Sequence, residues 1–238
     1  MSIEEFTYWG GLLEGEALRE YCENFRRRMF DSSAALFWMF NDTWPATRSW
    51  TIVDYYLRRT PSFAAVRRAL QPLHVVLAEE RNAVAVFGVN ERLEPWTGTV
   101  RYGVFNLAGG RPLDRTLSVT LPPNASTRIA SFRKGEWKDP SRSAAFAMLM
   151  EDGMAVARNR LLLPYFKDLK WPAPRLIVKR EKGKVIFKSE TFVWGVCLDL
   201  DGKRPMPDNF FDVYPGIPHA IPWKGPRGPE VKFVGNLV

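Results

Sequence analysis

The N-terminal third of the chain shows apolar positions at helical spacing, followed by one continuous apolar run. Between about Leu13 and Phe30, apolar residues recur every three or four positions, and charged residues fill the opposite face. The apolar run at 34–40 does not alternate with polar residues, which is typical of a strand buried on both faces in a parallel sheet. The pattern therefore predicts a helix and then a buried strand.

A second helix is predicted after a polar, Trp-rich loop. It begins at Pro61, with Thr60 as N-cap, and ends at Pro72. Residues 1–72 are thus expected to form a helix, a strand and a helix. A single parallel strand leaves its backbone ladder groups unpaired and two helices cannot cover its apolar surface, so we expect a missing part N-terminal to Met1.

From residue 73 the pattern changes to short strands separated by turn residues, which is typical of β-sandwiches. The Pro-rich segment 170–174 predicts a stiff linker between two β units, and Asp201-Gly202 predicts a hairpin turn. The strand-like runs lie at 73–77, 83–87, 98–105, 117–121, 176–180, 184–189 and 193–200. We therefore predict a mostly β chain with domains at 1–72, 73–171 and 172–238.

Composition excludes several function classes. The chain is 46% hydrophobic and 25% charged, as in ordinary globular proteins. Its net charge of +8 is zero over residues 1–71 and +4 over each of 72–171 and 172–238, so no coherent basic patch for nucleic acid is predicted. It contains no apolar run of about 18 residues, so no membrane span is expected. The N-terminus lacks the pattern of a signal peptide, and the native compartment stays open.

Metal and cofactor chemistry are not indicated either. The chain has two Cys, Cys22 and Cys197, and two His, and we interpret the cysteines as buried free thiols. With no Cys or His cluster, no metal site and no cofactor are predicted. The Asp199-x-Asp201-Gly202 sequence lacks the later ligands of a calcium loop.

Two motifs carry a resemblance to a known family. The first is Leu-Phe-Trp-Met-Phe-Asn-Asp-Thr-Trp-Pro at 36–45, followed by Ser49-Trp50 and Asp54-Tyr55-Tyr56. The second is the Asp-Asn-Phe-Phe-Asp sequence at 208–212. Together they resemble glycoside hydrolase family 2, and within it the β-mannosidase branch.

The resemblance implies a fold and an activity. The chain would be the C-terminal piece of a (β/α)8 barrel followed by two immunoglobulin-like β-sandwich domains. The parent would be a retaining exo-glycosidase that removes terminal β-D-mannose from β-mannosides. Such enzymes use two carboxylates, which the family places upstream of the eighth barrel strand. We therefore predict no catalytic residue in this chain, and inactivity without the N-terminal part of the same polypeptide.

The resemblance also implies one wall of a sugar pocket. Trp38 would lie beneath the terminal sugar ring, because an indole offers an apolar face of fixed orientation. Asn41 and Asp42 would bond sugar hydroxyls or brace the catalytic pair, and Trp44 would line the mouth. Each residue also has a structural interpretation: a Trp on a buried strand is often core, and an Asn-Asp loop often caps its own turn.

Two alternative functions remain. One is exo-β-glucosaminidase of the same family, although relatives of that type tend to carry Asn-Asn where this chain has Asn41-Asp42. The other is a non-catalytic carbohydrate-binding or structural β-sandwich module, which requires an exposed aromatic strip. The candidates for that strip are Trp137, Trp194 and Trp223.

Overall fold

The computed structural model describes residues 1–47 and 49–237. It is mostly β, with several antiparallel sheets and two α-helices in the described residues. The chain forms two compact units, and both are discontinuous in sequence. Unit 1 comprises Met1–Glu20, Leu36–Arg68 and Pro172–Val238, and unit 2 comprises Tyr21–Ala35 and Ala69–Trp171. The division into domains at 1–72, 73–171 and 172–238 stays a prediction.

Unit 2 is built on two antiparallel sheets that share one core. Its strands are β1 (Leu73–Glu79), β2 (Ala83–Asn90), β3 (Trp96–Asn106), β4 (Leu113–Leu121), β5 (Ala125–Arg133), β6 (Ser143–Glu151) and β7 (Met154–Leu161). One sheet has the order β1-β2-β5 and the other β4-β3-β6-β7. Alternate residues of both sheets, such as Val75 and Val86 from one and Val100 and Leu149 from the other, fill the core. This is the predicted sandwich.

A close backbone contact in this sandwich predicts that Gly103 cannot be replaced without a loss of stability. Gly103 in β3 has φ +155°, and a Cβ there would overlap the Leu113 carbonyl oxygen of the neighbouring strand. Gly103→Ala is expected to lower the free energy of unfolding by about 2–3 kcal/mol, because backbone must shift to admit the methyl group. Urea unfolding measures the loss. Gly135→Ala is the control, since nothing lies within 4 Å of a Cβ at that position; equal losses in the two variants would contradict the contact argument.

Unit 1 contains the remaining strands. They are β8 (Leu176–Glu181), β9 (Lys184–Ser189), β10 (Val193–Val196), β11 (Phe211–Val213) and β12 (His219–Pro222). One sheet has the order β12-β9-β8, and β10 pairs with β11. Val185, Phe187, Val193, Phe211 and Ile221 are buried in one cluster that spans both sheets.

The helices begin where local capping is available. Helix α1 runs over Ile3–Arg26, ten residues earlier than the predicted start. Ser2 and Glu5 form a reciprocal capping box: the Glu5 carboxylate accepts from the Ser2 N–H at 2.6 Å, and the Ser2 hydroxyl accepts from the Glu5 N–H at 3.1 Å. Helix α2 runs over Pro61–Ala69, so the predicted start is confirmed, and the predicted end at Pro72 lies three residues too far along the chain.

The predicted strand at 34–40 is not formed. No described strand lies beside it to share backbone hydrogen bonds, and the isolated bridge between Asn41 and Val53 lies just past its end. Its side chains nevertheless alternate: Leu36, Trp38 and Phe40 are exposed, and the residues between them are half-buried. The segment is thus covered on one side only.

Candidate functional site

An exposed aromatic surface is the main feature of the segment 36–57. The Trp38 side chain is 74% exposed and that of Trp44 is 70% exposed, so neither is a core residue of the described chain. Contiguous exposed apolar surface in a folded protein marks an interaction site. The other exposed aromatic side chains of this segment are Phe40, Trp50, Tyr55 and Tyr56.

Asn41 and Asp42 are held by backbone contacts with a buried residue. The Val53 N–H donates to the Phe40 carbonyl at 2.9 Å, and the Asp42 N–H donates to the Val53 carbonyl at 3.3 Å. The Asn41 amide donates to the Asp42 carbonyl at 3.2 Å. The Asn41 amide therefore serves its own loop, as the structural interpretation expected, while Asp42 is one of the residues that line a cavity.

The second half of the loop is fixed by Asp54. Its carboxylate accepts hydrogen bonds from the Tyr56 N–H at 2.9 Å and the Arg58 N–H at 2.8 Å. The Arg58 guanidinium donates to the same carboxylate at 2.6 Å and lies over the Tyr56 ring, 4.9 Å from its centroid. These contacts give Asp54 a structural role in the loop. The Thr60 hydroxyl then donates to the Ile52 carbonyl at 2.8 Å, where helix α2 begins.

The cavity beside Asp42 lies within unit 1 and has a volume of about 280 Å³. The first turns of helix α1, the loop before α2 and the turn after β10 enclose it. Its lining residues are Ile3, Glu4, Thr7, Asp42, Ala46, Thr47, Ser49, Thr51, Asp54, Arg58, Arg59, Thr60, Pro61, Leu200 and Asp201. Trp38, Asn41 and Trp44 are not among these residues, so the predicted site residues are not all brought together in one pocket.

The Asp-Asn-Phe-Phe-Asp motif holds the β part of unit 1 together. The Asn209 side chain accepts from the Leu198 N–H at 2.8 Å and donates to the Asp199 carbonyl at 2.7 Å. The Phe210 and Phe211 rings are buried. The contacts of Asn209 and the burial of both Phe rings therefore give the motif a structural role.

Asp208 is the centre of an ion cluster that sequence reasoning missed. Its carboxylate accepts from Arg67 at 3.1 Å and Arg68 at 2.9 Å, both on helix α2, and lies 3.1 Å from His219 Nε2 on β12. Burial alone would raise the pKa of Asp208, but the charge of Arg68, the hydrogen bond with His219 and the charge of Arg67 outweigh it and hold the pKa well below its usual range. No local signal links residues some 140 positions apart.

The cysteines and two of the tryptophans considered as functional candidates are buried. Cys22 and Cys197 are buried free thiols, as predicted, and burial raises the pKa of Cys197 to about 12. The Trp137 and Trp194 rings are buried, so they form no exposed aromatic strip. No three His, Cys, Asp or Glu side chains in the described part of the chain are grouped to hold a metal ion. None of the described helices is long and apolar enough to cross a membrane.

The sequence of residues 82–168 identifies a class of domain. This segment matches the family model of the Mannosidase Ig/CBM-like domain. In addition, the whole chain superimposes on the crystal structure of β-D-mannosidase from Dictyoglomus thermophilum with a TM-score of 0.84 and 25% identity, over 98% of this chain and 30% of that one.

Two fungal β-mannosidases are similar to this chain in sequence. β-Mannosidase B of Emericella nidulans is 26% identical over 271 residues, and that of Aspergillus niger is 28% identical over 263 residues. The alignments cover 98% of this chain but only 31% of either relative, so the chain spans about a third of their length. The exo-chitosanase of Amycolatopsis orientalis shares the fold, with a TM-score of 0.65 at 19% identity over 88% of this chain and 30% of that one. The resemblance to the C-terminal portion of family 2 β-mannosidases is confirmed.

Proposed function

We propose that this chain is the C-terminal segment of a retaining exo-glycosidase that hydrolyses terminal β-D-mannose from β-mannosides. The observation that supports this function is the exposed Trp38 in the Asn-Asp-x-Trp-Pro segment, within a chain similar to β-mannosidases along almost its whole length. An exposed indole offers the flat apolar face that a sugar ring requires.

In this proposal, residues 1–72 are the end of a (β/α)8 barrel, with 34–40 as its eighth strand. Neighbouring strands of the barrel would pair with 34–40 through backbone hydrogen bonds. Residues 73–171 and 172–238 would be two immunoglobulin-like domains. Both catalytic Glu would come from the upstream part of the polypeptide, which is the partner this chain needs.

The proposed roles of the site residues come from the resemblance to β-mannosidases. Trp38 packs beneath the terminal sugar and Trp44 lines the mouth of the pocket. Asn41 positions the loop through the Asp42 carbonyl. Asp42 offers a carboxylate to sugar hydroxyls or to the catalytic pair.

Exo-β-glucosaminidase is the second candidate, because exo-chitosanase has the same fold. Asn41-Asp42, in place of the Asn-Asn typical of that branch, favours the mannoside. A non-catalytic sandwich module is disfavoured by the burial of Trp137 and Trp194.

The test is steady-state hydrolysis by this chain extended upstream through a full barrel. We expect a higher kcat/KM for aryl β-D-mannoside than for aryl β-D-glucosaminide. Trp38→Ala is expected to lower kcat/KM for the mannoside about 10- to 30-fold, which corresponds to about 1.4–2 kcal/mol of lost sugar packing. Trp38→Phe should recover part of it.

Tyr165→Ala is the matched control, because Tyr165 is an exposed aromatic residue of unit 2. It should change kcat/KM less than about twofold. A preference for the glucosaminide would replace the mannoside proposal with the second candidate. Equal effects of the Trp38 and Tyr165 substitutions would remove Trp38 from the site.

A further inference from the structure

The hairpin of strands β8 and β9 carries a concentration of positive charge. Residues 172–238 have a net charge of +4, and residues 176–189 contain five basic residues and one acidic residue, so this hairpin alone accounts for the excess. All five basic side chains are exposed: Lys179, Arg180, Lys182, Lys184 and Lys188. Within the part of the chain that the structure describes, Lys184 alone among them forms an ion pair, with Glu181 at 3.3 Å. The other four charges are available to a partner.

Three of these lysines lie on the outer face of the sheet β12-β9-β8. Val185 and Phe187 of β9 are buried in the core of unit 1. Side chains of a strand alternate between its two faces, so Lys184 and Lys188 lie on the opposite, outer face. Lys179 of β8 is in register with the outer position between these two lysines. The three ammonium groups therefore share one side of the sheet.

Apolar side chains separate the lysines on this face. Ile177 of β8 is 53% exposed and pairs with Lys188 of β9, and Ile186 pairs with Lys179. Opposite side chains in a sheet lie about 5 Å apart, so each of these lysines borders an aliphatic side chain. None of the outer positions of these three described strands holds an aromatic residue. The face thus offers positive charge and aliphatic contact, but no platform on which a nucleic-acid base can stack.

Strand β8 forms an open edge of this sheet. It pairs with β9 on one side, and no described backbone hydrogen bond joins Leu176–Glu181 to any other strand. The N–H and C=O groups along its other side can therefore pair with an added strand. Lysine on an edge strand often prevents such pairing, but the same charge attracts a strand that carries carboxylates.

The inner side of β8 defines the rest of the partner's pattern. Leu176 and Val178 are half-buried and pack against the core of unit 1. A strand added beside β8 would place every second side chain next to these two residues, and the side chains between them next to Ile177 and Lys179. Apolar side chains suit the first set, and carboxylates suit the second. The edge therefore fits an extended segment in which apolar and acidic residues alternate.

We propose that the open edge of β8 is a docking site for an extended acidic segment of another protein, which adds a strand to the sheet β12-β9-β8 with its carboxylates on the Lys179 side. Neither a nucleic acid nor a lipid surface would use the backbone groups of this edge. The proposal does not rest on the proposed hydrolysis, because Leu176–Ser189 contains none of the residues assigned to the sugar pocket.

The experiment is a titration of the 238-residue chain into a fluorescently labelled peptide of about eight alternating Val and Glu residues, with anisotropy as the readout. We expect saturable binding with a Kd on the order of 100 μM, because the peptide must be ordered when it binds. Lys179→Glu should raise Kd at least about 10-fold, because an attraction becomes a repulsion. An increase in NaCl from about 0.02 M to about 0.5 M should raise Kd several-fold by screening exposed charges.

Lys203→Glu is the matched control in the chain. Lys203 is an exposed lysine of unit 1 that lies outside the sheet, in the segment between β10 and β11. The same change of charge there should raise Kd less than about twofold. Because both lysines are exposed, neither substitution should lower Tm by more than about 2 °C, so a loss of binding would not reflect unfolding.

Two peptide controls distinguish strand addition from simple charge attraction. A peptide of the same composition with its Glu residues grouped at one end should bind at least about fivefold more weakly, because its carboxylates no longer share one face. Successive N–H groups of a strand point to opposite edges. Of two peptides N-methylated at alternate positions, one should therefore bind and the other should not.

Four results would overturn the proposal. No binding of the alternating peptide would mean that the lysines only protect the edge from pairing. Equal binding of the grouped peptide, or binding that neither set of N-methyl groups affects, would reduce the site to simple charge attraction. Equal effects of Lys179→Glu and Lys203→Glu would assign binding to net charge. Binding of a single-stranded oligonucleotide in place of the peptide would make the hairpin a nucleic-acid surface.

Discussion

An aryl β-D-mannoside is expected to hydrolyse at its uncatalysed rate in the presence of the 238-residue chain. The same chain extended upstream through a full barrel is expected to hydrolyse it at least about 10⁶-fold faster. Retaining hydrolysis requires one carboxylate as nucleophile and another as acid/base, about 5–5.5 Å apart. Packing and positioning by this chain's aromatic surface cannot replace either group, so the difference should appear in kcat and not only in KM.

Two carboxylates in this part of the chain, those of Glu5 and Asp54, are committed to other hydrogen bonds. Glu5 is part of the capping box of helix α1, and the Asp54 carboxylate is held by two backbone N–H groups and Arg58. Glu4 is exposed on the first turn of α1. A residue that caps a helix or a turn is not free to attack a sugar or to exchange a proton with it.

The assay compares the short and the extended chain at equal concentration, with release of the aryl group as the readout. Turnover by the short chain would show that a catalytic pair lies within it. Glu4, Glu5, Asp42 and Asp54 would then have to be replaced one at a time. Inactivity of both chains towards mannoside would count against the proposed function itself.

The sequence pattern predicts those helices and strands whose stabilising contacts are made by residues close in sequence. The Thr60-Pro61 start of helix α2 depends on neighbouring residues, and the strand pairs β1–β2 and β6–β7 of unit 2 are joined by short turns. The capping box at Ser2 and Glu5 is also a local signal, but it lies N-terminal to the helical periodicity that begins at about Leu13. The Asp-Asn-Phe-Phe-Asp motif could be interpreted as structural because adjacent aromatic residues between polar ones suit a buried turn.

The features that were wrong or missed depend on distant partners. The run at 34–40 has the composition of a buried strand, yet a strand exists only where another strand shares its hydrogen bonds. The Asp208 cluster joins helix α2 to a residue some 140 positions further along the chain. Such contacts leave no periodicity or spacing to recognise in a single sequence.

The Asp208 cluster gives the largest expected loss of stability. Asp208→Ala is expected to lower the free energy of unfolding by about 3–5 kcal/mol at pH 7, because it leaves Arg67, Arg68 and His219 without the carboxylate that they share. The side chain of Asp208 is only 16% exposed, so water compensates the loss poorly. Urea unfolding followed by tryptophan fluorescence measures the change.

The control is a second aspartate with two arginine partners. Asp114 in β4 accepts from Arg101 at 2.6 Å and Arg111 at 3.1 Å, but its side chain is 28% exposed. Asp114→Ala should cost no more than about 1 kcal/mol. Equal losses at the two positions would contradict the idea that burial makes the Asp208 cluster important.

The same cluster predicts a dependence of stability on pH. The folded pKa of Asp208 lies below the unfolded value of about 3.9, so the folded state binds this proton less readily than the unfolded state. Its stabilisation is therefore fully present above that unfolded value and is lost as pH falls through the folded pKa. Between these two values, the wild-type chain should lose up to about 1.4 kcal/mol more per pH unit than Asp208→Ala. Parallel stability curves for the two proteins below pH 4 would show that the Asp208 carboxylate is not held in its charged form by the cluster.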